Sequence, residues 1–457
     1  MNAVMHSLHL ILLFAIIFQL EVILLSIWFN TLQKNGEEPK YYHISERQYN
    51  ISLKNIDMSV MRTTNRFIDK NLLVITPLFP DENDQYIGGN FVKYQIDALK
   101  KYFHGIIVIA PVLSTLKISQ NDRLCHNYCY DNIHIYYPRC FYVPWKIQRI
   151  WPLNKYLIDF RLHAVEKTIA NNHISFDLIH AHFSWPSTYI GAKLNGKYHT
   201  PTIATIHEDT KWLNEEIGFR LNKLEYAWSN VNGLIRPTDS DVAELKQFNE
   251  NIWVIPNGFT PRFKQMHIEE CRSKLQLPKD KKIIFSLGTV TERKGYSYLI
   301  DAIHAITQQR DDVMCFIGGP GPLIPKLRNK INNLGLSDRI ILTDYISDDQ
   351  LPLWMNACDM FVLPSLSESF GIVQIEAMAC GKPVVATKNG GSEGIIISDD
   401  YGYLCEPGDA RSLAEAICKA LETEWSPQLI LAYAERFHWD NVAKALLSAY
   451  DEIIAQK

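Results

Sequence analysis

Short apolar runs alternate with amphipathic segments along the chain from residue 71 onward. An apolar run that ends at a polar residue or a glycine is typical of a buried parallel strand. The segment 91–103 has the apolar spacing of a helix and follows the first run. Strand, loop, helix and strand in this order form a βαβ unit. The predicted strands cover residues 72–75, 106–109, 178–182, 202–206, 234–235, 253–255, 283–287, 313–317, 339–342, 360–363 and 383–386.

This alternation falls into two series, which predict an α/β protein with two Rossmann-like domains. The turn Pro256-Asn257-Gly258 separates a first domain, residues 67–256, from a second domain, residues 257–438. Strands that alternate with helices predict parallel sheets, and such sheets bind ligands beyond the carboxyl ends of their strands. Two such sheets in tandem predict domains that face each other across a cleft. Residues 439–457 hold a final amphipathic helix.

Residues 1–66 combine an apolar stretch, 8–29, with a polar linker. The stretch is long enough to cross a bilayer, and the first basic residues follow it. This favours an anchor that tethers cytoplasmic catalytic domains to the inner face of the membrane. Gln19 and Glu21 in its middle oppose that interpretation. The alternatives are an interfacial helix, or upstream sequence that precedes a true start at Met58 or Met61.

Composition and charge narrow the range of functions. The chain has 46 basic and 50 acidic residues, a net charge of −4, and no long run of Lys or Arg, so no nucleic-acid partner is predicted. Its nine cysteines are odd in number and scattered, which fits a reducing compartment. The Cys and His residues between 125 and 140 lack the paired spacing of a zinc site, so no metal is predicted.

The densest chemical pattern is PSLSESFGIVQIEAMACGKP, residues 364–383. A polar loop follows a predicted strand, and a helix is predicted to start near Phe370. The N-terminus of a helix favours an anion such as a diphosphate. Glu368 in the loop and Glu376 in the helix can face one ligand, because a carboxylate accepts hydrogen bonds from two adjacent sugar hydroxyls. Taken singly, either glutamate could instead be a local cap or a solvated acid.

A second pattern, GTVTERKG at residues 288–295, places Arg293 and Lys294 between a strand and a helix. Two cations at the carboxyl end of a strand can neutralise a leaving diphosphate. A solvated pair of charges is the alternative.

Glycine pairs and one histidine complete the candidate site. Glycines at 318–319 and 88–89 allow the backbone to approach a ligand closely, although glycine turns are common. His207 ends an apolar strand, where it either contacts substrate in the cleft or is a satisfied core histidine.

Together these patterns resemble the family 4 retaining glycosyltransferases of the GT-B fold, also called glycosyl transferases group 1. The resemblance covers residues 70–455 and is most specific at the glutamate block, which Gly390-Gly391 follows. It implies that the first domain faces the acceptor, that the second binds the donor, and that the last helix crosses back to the first domain.

The resemblance also implies an activity. A hexosyl-type sugar would move from a UDP- or GDP-sugar to a hydroxyl of a glycan or lipid-linked acceptor, in polysaccharide, glycolipid or cell-surface glycan synthesis. No cofactor or metal is implied. Arg293 and Lys294 would stabilise the diphosphate, Glu376 would bind the ribose, and Glu368 would contact the transferred sugar. Further donor contacts are implied for Gly88, Gly89, Gly318, Gly319, Phe370, Gly371 and Ile372. Near the reacting sugar would lie His207, with His182 and Asp209 on the acceptor side.

One departure leaves alternatives open. The family often has His-Gly-x-Asp where this chain has His207-Glu208-Asp209-Thr210, so the resemblance does not predict the local backbone or the choice of acceptor here. A nucleotide-sugar epimerase of the same architecture and a non-catalytic sugar-nucleotide-binding protein remain as alternatives. An NAD-dependent dehydrogenase is disfavoured, because no Gly-x-Gly-x-x-Gly opens the first helix.

Overall fold

The computed structural model describes residues 65–84, 88–114, 124–141 and 154–456. The predicted membrane segment, 8–29, lies outside the described residues. Within the described ranges, no helix combines the length and apolar character that crossing a membrane requires.

The first sheet has eight strands in the order β10-β9-β8-β7-β1-β2-β5-β4. All neighbours pair in parallel except β4 and β5, which are antiparallel at one edge. A separate two-stranded parallel sheet joins β3 and β6. The strands are β1 Asn71–Ile75, β2 Gly105–Ile109, β3 Val112–Ser114, β4 Tyr128–Tyr130, β5 Ile133–Tyr136, β6 Arg139–Phe141, β7 Leu178–His182, β8 Thr202–Thr205, β9 Gly233–Arg236 and β10 Ile252–Val254.

The second sheet has six strands, all parallel, in the order β13-β12-β11-β14-β15-β16. They are β11 Lys282–Leu287, β12 Val313–Gly318, β13 Ile340–Asp344, β14 Met360–Leu363, β15 Val384–Thr387 and β16 Gly402–Cys405. The predicted fold class, two parallel-sheet α/β domains, is therefore confirmed.

Helices connect the strands of both sheets. Those between strands of the first sheet are α1 Asn90–Leu99, α2 Asn154–Asn171, α3 Tyr189–Tyr198, α4 Thr210–Ser229 and α5 Val242–Leu245. The later helices are α6 Ile268–Lys274, α7 Tyr296–Thr307, α8 Ile324–Asn333, α9 Leu351–Ala357, α10 Ile372–Ala379, α11 Ala410–Glu422, α12 Pro427–Ala434 and α13 Trp439–Ala455.

Both faces of the first sheet are buried, as its continuous apolar strands predict. Successive side chains of a strand point to opposite faces. In β1, Leu72 and Val74 pack with α1 and α13 on one face, whereas Leu73 and Ile75 pack with α2 and α3 on the other.

The last helix returns to the first sheet, as predicted. Trp439, Leu446 and Tyr450 of α13 are buried in the same cluster as Phe67 and Phe103. The chain therefore crosses between the two halves twice, and the crossings lie side by side. Phe259 N donates to Phe437 O over 2.9 Å, and Trp439 N donates to Phe259 O over 3.4 Å.

Several elements differ from the predictions. The helix predicted to start near Phe370 starts at Ile372. Neither the strands β4 to β6 nor the helices α2 and α4 were predicted. The domain boundaries stay predictions, although every strand of the first sheet precedes residue 256 and every strand of the second follows residue 281.

Candidate active site

Three loops meet at the carboxyl edge of the second sheet, where the neighbouring strands β12, β11 and β14 end. Leu366 N, in the loop after β14, donates to Arg293 O over 2.7 Å. Gly295 makes this approach possible, because its φ is 66° and a Cβ there would overlap Pro364 O. The two loops singled out in the sequence are therefore joined through their backbones.

Glu368 is buried at this junction and accepts hydrogen bonds from three side chains. Its Oε1 accepts from Lys294 Nζ at 2.5 Å and from Ser365 Oγ at 2.7 Å, and its Oε2 accepts from Arg293 Nη1 at 3.1 Å. Burial alone would raise the pKa of Glu368, but the charges of Lys294 and Arg293 outweigh it and hold the pKa below its ordinary value. Glu368 is therefore a carboxylate at neutral pH.

The two cations differ in their exposure. The Lys294 side chain is 13% exposed, whereas that of Arg293 is 46% exposed and also donates to Ser367 O over 2.6 Å. Lys294 lies in the short 3₁₀ turn Glu292–Lys294, directly before the glycine that opens α7. Two fixed cations beside a buried carboxylate form a polar site that can bind an anion and hydroxyl groups together.

The glycines after β12 contact the protein itself. Gly319 has a φ of 120°, and a Cβ there would overlap Gly288 O; one at Gly318 would meet the Ile346 side chain. Close packing between neighbouring loops thus explains why glycine occupies these positions. Their predicted contact with the donor stays a prediction. A Cβ at Gly89 would likewise overlap Leu78 O. The predicted donor contacts of Gly88 and Gly89 also stay predictions.

The N-terminus of α10 lies against a further loop. Gly371 precedes the helix with a φ of 87°, and Gln374 N donates to its carbonyl over 3.0 Å. A Cβ at Gly391 would come within 2.6 Å of Phe370 N, so Gly391 lets the two loops pack closely. Phe370 itself is buried, and Ile372 opens the first turn of α10.

Glu376, inside α10, is buried and faces a charged cluster that the sequence did not reveal. Burial raises the pKa of Glu376 to about 7, although the positive charge of Arg262 lowers it. Arg262 Nη1 donates to Asp348 Oδ2 over 2.7 Å. The hydroxyl of Tyr94, from α1 on the other side of the cleft, donates to the same oxygen over 3.2 Å.

A group of stacked histidines lies at the carboxyl ends of β7 and β8. His182 Nδ1 and His207 Nε2 share a hydrogen bond of 2.9 Å, and their rings are nearly parallel with centroids 5.2 Å apart. His180 stacks on His182 and bonds through Nδ1 to the Tyr450 hydroxyl over 2.7 Å. Burial lowers the pKa of His207 well below its ordinary value, so this ring is neutral at pH 7.

The loop after β8 in the first sheet also contacts the loop after β14 directly. Asp209 caps α4 by accepting from Trp212 N over 3.1 Å, and its Oδ1 accepts from Ser367 Oγ over 2.8 Å. Ser367 adjoins Glu368, so the residues predicted on the acceptor and donor sides belong to one interface.

The structure thus brings Arg293, Lys294 and Glu368 together and pairs His182 with His207. Sequence analysis missed other residues at this interface, and all but Ser365 make a side-chain contact with a residue far along the chain. These are Tyr94, Arg236, Arg262, Asp348, Ser365 and Ser367. Among the described residues, no group of three or more His, Cys, Asp or Glu side chains is placed to hold a metal ion.

The two facing sheets and the cationic site at the edge of the second define a GT-B glycosyltransferase. Residues 267–437 match the model of the glycosyl transferases group 1, and residues 90–263 match that of glycosyltransferase family 4. The chain belongs to this family of glycosyltransferases.

Curated relatives agree with this assignment. The chain is 27% identical over 307 residues to a D-inositol 3-phosphate glycosyltransferase of Acidothermus cellulolyticus, across 62% of this chain and 68% of the relative. It is 30% identical over 304 residues to an uncharacterized glycosyltransferase of Methanocaldococcus jannaschii, across 65% of this chain and 81% of the relative.

Solved structures share the fold. Sucrose-phosphate synthase from Thermosynechococcus elongatus superposes with a TM-score of 0.68 at 21% identity, covering 85% of this chain and all of that one. HepE from Anabaena in complex with UDP superposes with a TM-score of 0.64, also at 21% identity, covering 84% of this chain and all of that one.

Proposed function

We propose that this protein transfers a hexosyl-type sugar from a nucleoside-diphosphate sugar to an acceptor hydroxyl, with retention of the anomeric configuration. The observation that carries the proposal is the buried Glu368 carboxylate, which binds both Lys294 and Arg293 at the carboxyl edge of the second sheet. In this arrangement the cations hold the diphosphate, and Glu368 and Glu376 accept hydrogen bonds from the sugar and the ribose. No metal or cofactor takes part.

The barrier to transfer is the departure of the nucleoside diphosphate. As the bond between the anomeric carbon and the phosphate oxygen breaks, its electron pair leaves with the diphosphate, where Arg293 and Lys294 stabilise the growing charge. The acceptor oxygen attacks the same face of the sugar, and its proton passes to the departing phosphate. His207, neutral and fixed by His182, lies beside the reacting sugar as a hydrogen-bonding group. A covalent glycosyl-enzyme trapped during turnover would contradict this hypothesis.

The solved structures that share the fold suggest which class of donor to test. HepE was crystallised with UDP and with UDP-glucose, which supports a UDP-sugar as the first donor to test; GDP-sugars are the alternative. The acceptor belongs to a glycan, a lipid-linked sugar or a small molecule. A tether formed by residues 8–29 would place the site at the cytoplasmic face of a membrane and favour a lipid-linked acceptor.

A donor screen tests the proposal. The purified full-length protein is incubated with UDP- and GDP-sugars and pooled glycan and lipid acceptors, and release of UDP or GDP is measured with the anomeric configuration of the product. We expect release from one donor class and a retained configuration. Donor binding without release with any acceptor, or epimerisation of the donor alone, would contradict transfer.

Donor binding should depend on the protonation of Glu376. Because the pKa of Glu376 is raised to about 7, the group is mostly protonated at pH 6 and mostly ionised at pH 8. Only the ionised form accepts from both ribose hydroxyls, so we expect UDP-glucose to bind up to about tenfold more weakly at pH 6 than at pH 8. Calorimetry in two buffers of different ionisation enthalpy should also detect proton release on binding.

Glu376→Gln provides the matched control for this measurement. The amide does not titrate, so its affinity for UDP-glucose should be weak and nearly constant over the same range. A wild-type pH dependence that persists in Glu376→Gln would assign the titration to another group.

A further inference from the structure

The residue that departs from the family pattern, Glu208, makes a specific contact with the loop after β7. Its side chain is buried, and Oε1 accepts from Ser184 N over 2.7 Å. Oε2 lies 3.4 Å from Ser184 Oγ, which itself accepts from Trp228 Nε1 over 3.2 Å. A glycine at this position could not reach Ser184, so the contact depends on the side chain that this chain has there.

The loop that Glu208 holds contains an unusual backbone conformation. Phe183, directly before Ser184, has a φ of 73°, which a bulky side chain adopts only where the surrounding structure imposes it. Phe183 N donates to Thr205 O over 2.8 Å, and its carbonyl accepts from Thr188 Oγ1 over 2.8 Å. The Glu208 carboxylate thus holds Ser184, the residue directly after the strained Phe183.

The Phe183 ring packs against His207. Their centroids are 4.9 Å apart, and Phe91 from α1 contacts the same imidazole at 4.7 Å. On the other side of Glu208, Arg236 Nη1 donates to the Glu208 carbonyl over 2.9 Å and so fixes its backbone. The side chain and backbone of Glu208 therefore connect the loop after β7 with the strand end that carries His207.

We propose that Glu208 is a positioning residue, which holds the Phe183–Ser184 turn so that the Phe183 ring fixes the imidazole of His207. Glu208 acts through Ser184 and Phe183 and does not itself contact the reacting atoms. The inference rests on the proposed function, because the proposed function places His207 beside the transferred sugar.

Four variants test the proposal. Glu208→Ala and Glu208→Asp cannot reach Ser184 N, whereas Glu208→Gln keeps an oxygen there; Glu215→Ala, at an exposed position on α4, is the matched control. With the donor found in the screen, we expect Glu208→Ala and Glu208→Asp to lower kcat by about 10- to 100-fold at an unchanged donor KM. Glu208→Gln should restore most of kcat, and Glu215→Ala should match the wild type.

A second measurement does not depend on turnover. The ¹⁵N and ¹³C shifts of the His207 ring, assigned with a His207→Gln variant, should change in Glu208→Ala and Glu208→Asp and return to the wild-type values in Glu208→Gln. Unchanged shifts in both shortened variants, or equal loss of kcat in Glu208→Gln and Glu208→Ala, would overturn the proposal. Changed shifts in a protein that turns over no donor would instead retain the positioning of His207 and reject the proposed function.

Discussion

Replacing Lys294 with alanine should lower the rate of sugar transfer by about 10²- to 10³-fold, the usual effect of removing one group that stabilises charge in a transition state. The Lys294 side chain is only 13% exposed, and its Nζ lies 2.5 Å from Glu368 Oε1. Its position is therefore fixed before the donor arrives, so little reorganisation is needed as charge develops on the diphosphate. The loss should appear mainly in kcat, measured by release of UDP or GDP from the donor identified in the screen.

Lys326→Ala is the matched control for this change. Lys326 pairs with Glu292 of the same 3₁₀ turn at 3.0 Å, but both side chains are about two-thirds exposed. Its removal should leave turnover unchanged. Because Lys294→Ala also removes a partner of a buried acid, melting curves must show that the variant is folded at the assay temperature. A folded Lys294→Ala enzyme with undiminished kcat would reject the site assignment.

Replacing Arg236 with alanine should destabilise the protein by about 3–5 kcal/mol, the usual cost of leaving one partner of a buried ion pair alone. Arg236 is fully buried, pairs with Asp241, and donates to Ile206 O over 2.7 Å and to Glu208 O over 2.9 Å. Its removal leaves a carboxylate and two carbonyl groups without these partners. The midpoint of urea unfolding, followed by circular dichroism, should fall accordingly.

The control for this variant is Arg411→Ala. Arg411 pairs with Glu415 one helical turn away, and its side chain is 89% exposed, so its loss should not shift the midpoint measurably. Equal midpoints for the wild type and Arg236→Ala would show that the buried pair with Asp241 contributes no net stability.

The elements that sequence analysis found are those whose pattern depends only on local burial. In β1 the buried side chains are all apolar, and in β11 all but Ser286 are, because both faces of a central parallel strand are covered. Strand β5, with the exposed His134, pairs antiparallel to the edge strand β4 and lacks such a run. Helix α4 mixes polar and aromatic residues around its surface, so its sequence carries no clear helical periodicity.

The residues of the candidate site also differ in whether the sequence could predict them. Arg293, Lys294 and Glu368 could be proposed because each follows a predictable strand, and carboxyl ends of neighbouring parallel strands share an edge. Arg262 and Asp348 could not, because an ion pair between residues 86 positions apart depends on how the loops close. Glu208 was noticed as a departure from the family pattern, but its partner Ser184 belongs to a different strand end.

The two adjacent crossings have a consequence for engineering. Since Phe259 and His438 pair as a short parallel bridge, the whole second sheet with its helices is topologically an insertion whose two ends touch. A chimaera that takes the donor specificity of a relative can therefore be made by exchanging the second sheet and its helices as one continuous segment. Both junctions of that segment lie within a few ångströms of each other. An exchange with a single junction would also replace α13. It would remove the native helix that packs against Phe67 and Phe103 and leave a mismatched core.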